Sequence, residues 1–138
     1  MIFSRRETLV LGLGAAALGV LPFRANAATE DAIAEFAGGA EVGEGGVTLI
    51  APEIAENGNT VPIEVDAPGA TEVAVFAAGN PLPEVVTFKF GPLAGSQHAS
   101  TRIRLAGTQD VIAVARMADG SVVQASQTVK VTIGGCGG

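Results

Sequence analysis

From Val47 to Ile133 the apolar residues fall at every second position in short runs, and a turn signal ends each run. A period of two places alternate side chains on opposite faces, so this pattern specifies strands rather than helices. Val47, Leu49 and Ala51 open the series. Asn57-Gly58-Asn59 interrupts it, because Asn and Gly tolerate positive φ. Val61, Ile63 and Val65 then alternate with Pro62, Glu64 and Asp66. Pro62 has no N–H to give a ladder, so this strand is expected to be an edge, or to begin at Pro62. Asp66-Ala67-Pro68-Gly69 makes another turn, and Val73 to Ala77 is a continuous apolar run suited to a buried strand. Asn80-Pro81-Leu82-Pro83 breaks the chain again, and Val86, Phe88 and Phe90 share one face of the next strand. Thr101, Ile103 and Leu105 alternate with Arg102 and Arg104, and Val111 to Met117 comes next. Asp119-Gly120 signals a two-residue hairpin, leading into a long last strand from Val122 to Ile133, or two strands joined by a bulge.

About seven short strands of this kind predict an all-β fold, an immunoglobulin-like antiparallel β-sandwich. No helical pattern alternates with them, so a parallel α/β sheet is excluded. One helix is expected ahead of the strands. Thr29 can cap it, Glu30 and Asp31 suit its first turn, and Ile33, Phe36 and Ala37 recur at helical spacing before Gly38-Gly39. A helix of about two turns needs a surface to lie on. Gly38 to Gly46 reads as a loop. The core must be aliphatic, because the chain has no Trp or Tyr and a single Cys, which cannot brace the two sheets. Small domains without such staples are marginal alone, and a permanent partner would supply the missing burial.

The 138 residues suffice for one domain. Residues 1–27 have the three parts of an export signal: Arg5-Arg6, the apolar stretch Leu9 to Val20, and the small residues Ala25-Asn26-Ala27. The apolar stretch is too short to span a bilayer, which takes roughly 20 residues. Ser4-Arg5-Arg6-Glu7-Thr8-Leu9 resembles the twin-arginine motif, with Thr8 in place of the usual Phe. That route moves folded proteins, so the expected location is the periplasm. The expected organisation is a signal over 1–27, a sandwich over 28–133 and an arm over 134–138. The whole chain carries 8 basic and 14 acidic residues. The signal holds Arg5, Arg6, Arg24 and Glu7, so the remainder has a net charge of −8. Such a balance disfavours nucleic acid, which needs clustered Lys and Arg. No further segment has the length or the basic amphipathic pattern for membrane attachment.

Cys136 dominates the chemistry. It is the one cysteine of a chain addressed for export, which points to a reactive thiol or an intermolecular disulfide. Its setting is Gly134-Gly135-Cys136-Gly137-Gly138, directly after Val131-Thr132-Ile133. Four glycines remove every neighbouring side chain, and by composition such a tail is expected to be a disordered, thin arm. From Ile133 it carries Cys136 up to about 10 Å, at ~3.3–3.6 Å per residue. No His, Lys or Arg lies within five residues of Cys136, and the terminal carboxylate disfavours a thiolate. An unassisted thiol has a pKa of about 8.5, so partner enzymes must supply its activation. The arm thus reads as a carrier's, with no catalytic residue of its own.

The other candidates are weaker. His98 is the sole histidine and has no companion ligand, so no metal site is expected. Glu53, Glu56, Glu64 and Asp66 form an acidic cluster that reads as a solvated face rather than a calcium site. Arg102 and Arg104 point the same way from one strand; they read as an exposed polar face, with an anion or an acidic partner as the alternative. No C-x-x-C pair and no cofactor motif is present.

On these residues the chain resembles the SoxY family of thiosulfate-oxidation carriers. Val131-Thr132-Ile133-Gly134-Gly135-Cys136-Gly137-Gly138 is similar to the family's terminal signature. Glu56 to Pro62, Ser100 to Ala106 and Ala115 to Gly120 are similar to its strands and connections. The resemblance implies an immunoglobulin-like sandwich in a heterodimer with SoxZ, a second sandwich. It implies that the SoxAX cytochrome complex joins thiosulfate to Cys136 and that SoxB hydrolyses off sulfate. Where present, a molybdenum-containing sulfane dehydrogenase oxidises the remaining sulfur. Cys136 is then the sulfur attachment point, Gly134, Gly135, Gly137 and Gly138 are the arm, and the carrier needs no cofactor of its own. Three rival readings remain at this level. A Gly-Gly terminus also ends ubiquitin-like sulfur carriers, activated by adenylation at the position of Gly138, which the export signal argues against. A structural sandwich dimerised through Cys136 is the second. An enzyme is the third, for which no catalytic constellation is found.

Overall fold

The computed structural model describes residues 24–133. Helix α1 (Arg24–Ala37) is followed by nine strands: β1 (Val42–Glu44), β2 (Thr48–Ile50), β3 (Ile54–Ala55), β4 (Val61–Asp66), β5 (Ala70–Ala77), β6 (Glu84–Lys89), β7 (His98–Ile103), β8 (Gln109–Met117) and β9 (Val122–Val131). They form two sheets. The larger runs β1-β9-β8-β5-β6, with β3 also paired to β9; the smaller runs β2-β4-β7. The pairings are antiparallel except where β1 and β3 meet β9, in parallel, near the two ends of that strand. The architecture is the expected immunoglobulin-like sandwich.

The main core is the alternating inward set. Val61, Ile63 and Val65 of β4 face Val73, Val75 and Ala77 of β5 and Val111, Ala113 and Ala115 of β8, and all are buried. The apolar run of β5 has a second use. Ala74 and Phe76 point to the opposite face and join Val114, Val122 and Ala37 in a smaller cluster beneath α1. Ala32, Ile33 and Phe36 of the helix pack on it, and the Phe36 and Phe76 rings meet edge to face at 6.3 Å. The helix thus finds the surface it needs. Arg116 fastens its C-terminal end: one guanidinium nitrogen pairs with Glu72 Oε2 at 3.2 Å, another donates to the Phe36 carbonyl, and the group stacks on the Phe36 ring.

Several expectations need correction. The helix begins at Arg24, so Thr29 lies inside it and is buried rather than acting as a cap. Its other end is as expected, with Gly38 at φ 63 and its N–H donating to Ala34 O. The stretch expected to be a loop holds β1, which takes its hydrogen bonds from the existing edge of β9 and needs no alternation of its own. β4 is the middle strand of its sheet rather than an edge, but it starts at Val61, so Pro62 does lie at its beginning, the other arrangement expected. Pro62 is tolerated because β2 pairs only with Glu64 to Asp66, leaving one side of the strand open around Pro62. The β8–β9 hairpin has three residues, not two, between Met117 and Ser121, with Gly120 at φ 89. Asp119 Oδ1 accepts from the Ser121 hydroxyl and N–H, which holds the carboxyl below its ordinary 3.8. Of the two expectations for the last strand the first holds: β9 is one long strand from Val122 to Val131, and no bulge divides it.

Candidate functional site at the root of the C-terminal segment

Cys136 and its flanking Gly134, Gly135, Gly137 and Gly138 lie outside the described residues. What the fold defines is the platform from which they depart. β9 carries the chain there, and its last residues are fastened on both sides. Lys130 N–H donates to Glu53 O at 2.8 Å, and Thr132 N–H to Ala55 O at 3.0 Å. The Thr132 hydroxyl donates to Glu56 O at 3.0 Å. From the other side, Thr108 Oγ1 accepts the Val131 N–H at 3.0 Å. Finally Ile133 O accepts the Gly58 N–H at 2.7 Å, and Gly58 O accepts from Leu105 N–H at 2.8 Å. The Asn57-Gly58-Asn59 turn makes this possible. Asn57 Oδ1 accepts the Asn59 N–H, which bends the chain locally and aims Gly58 at the terminal strand. Ile133 is nonetheless 67% exposed. The root is held by main-chain hydrogen bonds while its side chain stays in solvent, so the exit point is fixed without being covered.

The remaining candidates from the sequence lie away from this root or beside it. His98 is exposed at the start of β7, opposite Asp66 in the register. Among the described residues, no group of three or more His, Cys, Asp or Glu side chains is placed to hold a metal. Glu53, Glu56, Glu64 and Asp66 are therefore not gathered into a cation site. Arg102 and Arg104 are exposed on either side of buried Ile103, and both line a cavity of about 390 Å³ together with Asn59, Asn80 and Glu84. Among the described residues, no helix is long and apolar enough to cross a membrane.

Sequence reasoning misses three contributors. Thr108 reads as an ordinary loop residue, and nothing in one sequence says which loop meets the terminal strand. Asn80 and Gln109 carry no motif either. Gln109 is a nearly buried polar residue whose Nε2 donates to Asn80 Oδ1 and Gly107 O, each at 2.9 Å, tying together the loops next to the root. A polar residue heading an apolar strand is the available signal.

Fold and terminus together define a class: a small immunoglobulin-like sandwich whose last strand ends at the surface just ahead of a glycine-flanked cysteine. The family model "Sulfur oxidation protein SoxY" matches residues 33–136. The chain belongs to the SoxY family. Among solved structures it is similar to the sulfur carrier protein SoxY from Chlorobium limicola f thiosulfatophilum, at 36% identity and TM-score 0.68, covering 78% of this chain and 99% of that one. It is also similar to a superoxide reductase (neelaredoxin) from Ignicoccus hospitalis, at 15% identity and TM-score 0.52, covering 63% and 80%. A putative superoxide reductase from Thermotoga maritima matches at 21% identity and TM-score 0.52, covering 62% and 84%. The last two likenesses concern the fold alone. No curated protein matches. The family places the chain among sulfur carriers of sulfur oxidation.

Proposed function

We propose that this protein carries sulfur intermediates covalently on Cys136, exported through the twin-arginine route to the periplasm and working as a heterodimer with a SoxZ subunit. The observation that carries the reading is the reach of the family match, which ends at Cys136 itself. The geometry supports it, since the strand before the cysteine is anchored yet ends in solvent.

Loading forms an S–S bond between the Cys136 sulfur and the outer sulfur of thiosulfate. Cys–SH and S₂O₃²⁻ give Cys–S–S–SO₃⁻, one proton and two electrons, and the SoxAX cytochrome complex takes the electrons. Hydrolysis by SoxB adds water across the S–SO₃ bond, releasing hydrogensulfate and leaving Cys–S–SH. A sulfane dehydrogenase, where present, oxidises that remaining sulfur. The chain supplies no acid, base or cofactor to these steps; it supplies position. Gly134, Gly135, Gly137 and Gly138 are the arm, thin enough to enter a narrow active site. The heterodimer reading draws support from the small sheet. Its outer side exposes Ile50 (54%) and, beside it, Ile54 (59%), next to a cavity of about 540 Å³ lined in part by Pro52 and Pro62.

Cys136→Ser is expected to abolish thiosulfate-dependent turnover in a reconstituted system while leaving the unfolding transition unchanged. Retained turnover refutes the carrier role. Intact-mass and peptide analysis of the wild-type chain after loading is expected to find the added sulfur on Cys136; an adduct at Gly138 would favour the adenylation-type carrier instead.

A further inference from the structure

Asn57-Gly58 is the chain's one Asn-Gly step, and the fold places two opposed hydrogen bonds on it. An asparagine followed by glycine is open to self-modification. The main-chain nitrogen of the next residue attacks the side-chain amide carbon, and glycine, with no Cβ, leaves that approach unobstructed. The other asparagines lack this opening. Asn59 precedes the β-branched Thr60, Asn80 precedes Pro81, whose nitrogen has no hydrogen to lose, and Asn26 lies within α1.

One bond activates the site. Asn57 Oδ1 accepts the Asn59 N–H at 3.0 Å. That donor draws electron density from the amide carbon and stabilises the negative charge that grows on Oδ1 under attack. The other bond restrains it. Gly58 N–H donates to Ile133 O at 2.7 Å, so the hydrogen that the nucleophile must lose is committed to the end of β9. The same strand end holds the chain just ahead of Asn57. The Thr132 hydroxyl donates to Glu56 O and Thr132 N–H to Ala55 O, each at 3.0 Å. Asn57 is exposed and Gly58 is buried, so the electrophile is presented while the nucleophile is covered. Turning the Asn57 main chain to bring Gly58 N onto the side chain requires Ile133 and Thr132 to let go.

We propose that Asn57 is a self-modification site, converted through a succinimide when the end of β9 opens, and that conversion leaves that end released. Gly58 N gives up its proton and bonds to Asn57 Cγ; the Cγ–Nδ2 bond breaks, and ammonia leaves with the proton. Water then opens the ring at either carbonyl, giving aspartate or isoaspartate at position 57. The imide nitrogen carries no hydrogen, so the succinimide and the Gly58–Ile133 bond exclude each other. Isoaspartate restores the N–H but adds a methylene to the main chain. That displaces Gly58 from Ile133 O and from Leu105 N–H, which Gly58 O accepts at 2.8 Å. Loss of ammonia makes the step one-way, so the modification records how often the strand end has opened.

The test does not involve Cys136. The full chain is incubated in mildly alkaline buffer, folded and unfolded in urea. Peptide mapping with an isoaspartate methyl-transfer assay is expected to find the change on the peptide holding Asn57, with Asn59, Asn80 and Asp119 unaltered. Only the open fraction reacts, so the folded chain should convert at least roughly tenfold more slowly than the unfolded one. Thr108→Val with Thr132→Val weakens the hold on the end of β9 and should quicken conversion of the folded chain roughly tenfold. Asn57→Ser cannot close the ring and should form no isoaspartate. The converted wild-type chain, separated by its added negative charge, should show faster amide exchange at Val131 to Ile133 and no change at Val122. Equal rates in folded and unfolded chains would overturn the proposal. So would no conversion of the folded chain over many unfolded-state half-lives, no acceleration in the double variant, or unaltered exchange after conversion. If the double variant does not fold, the folded and unfolded wild-type rates and the exchange of the converted chain decide.

Discussion

The last strand is held at both ends, but by different physics. At its start, Val122 is buried beneath α1 with Phe76, Val114 and Ala37, and the strand is fixed by apolar packing. At its finish, Lys130 to Ile133 are held by hydrogen bonds to Glu53, Ala55, Glu56, Gly58 and Thr108, and Ile133 stays in solvent. Each end also takes a short parallel strand alongside, β1 at the first and β3 at the second. Packing fixes a strand by covering it. Hydrogen bonds to the main chain fix it while leaving its side chains uncovered. A strand that must present the residues beyond its end needs the second kind of anchor.

The contrast can be broken experimentally. Phe76→Ala removes the largest side chain of the small cluster and should cost about 3–5 kcal/mol, measured by denaturant midpoint. Loading of Cys136 by tetrathionate in the folded fraction should be unchanged; slowed loading would mean that the two ends are not independent. Thr108→Val with Thr132→Val removes hydrogen bonds at the root and should cost about 1–3 kcal/mol together. Amide exchange should quicken at Val131 to Ile133 and not at Val122. Uniform quickening along β9 would erase the distinction between its ends. The smallest effect belongs to the hairpin that leads into the buried end. The Ser121 hydroxyl and N–H lower the Asp119 carboxyl below 3.8, so their contribution is present above that value and is lost as pH falls through the lowered folded value. Ser121→Ala should therefore be less stable than wild type near neutrality and equal to it in strong acid, as read from urea midpoints across pH. A gap that persists in acid would assign the effect to packing.

Much of this architecture was legible because strand period and turn chemistry are local. Val61, Ile63 and Val65 announced their face, and Asp66 to Gly69 announced a turn that the structure closes with Ala70 N–H donating to Ala67 O. Features set by neighbours were not legible. β1 exists because β9 offers an edge, and Pro62 sits in a middle strand because β2 stops short of it. Thr29 has the chemistry of a cap, but the helix runs past it toward Arg24, so local propensity did not decide the boundary. The candidate site divides the same way. Cys136 and its glycines stand out in the sequence, whereas the clamp on Val131 to Ile133 depends on which loops fold against them. The same holds for Arg102 and Arg104. Alternation alone made them an exposed face, and only the Gly58 bridge between Ile133 and Leu105 ties the end of their strand to the end of β9.

The parallel strand β3 has a further consequence for recognition. It occupies the outer side of Lys130 and Val131, while Thr108 holds Val131 from the opposite flank. Another chain therefore cannot grip this stretch by adding a strand of its own, as many peptide-binding proteins do. Recognition of this end of the sandwich falls to side chains and loop surfaces rather than to main-chain pairing with β9.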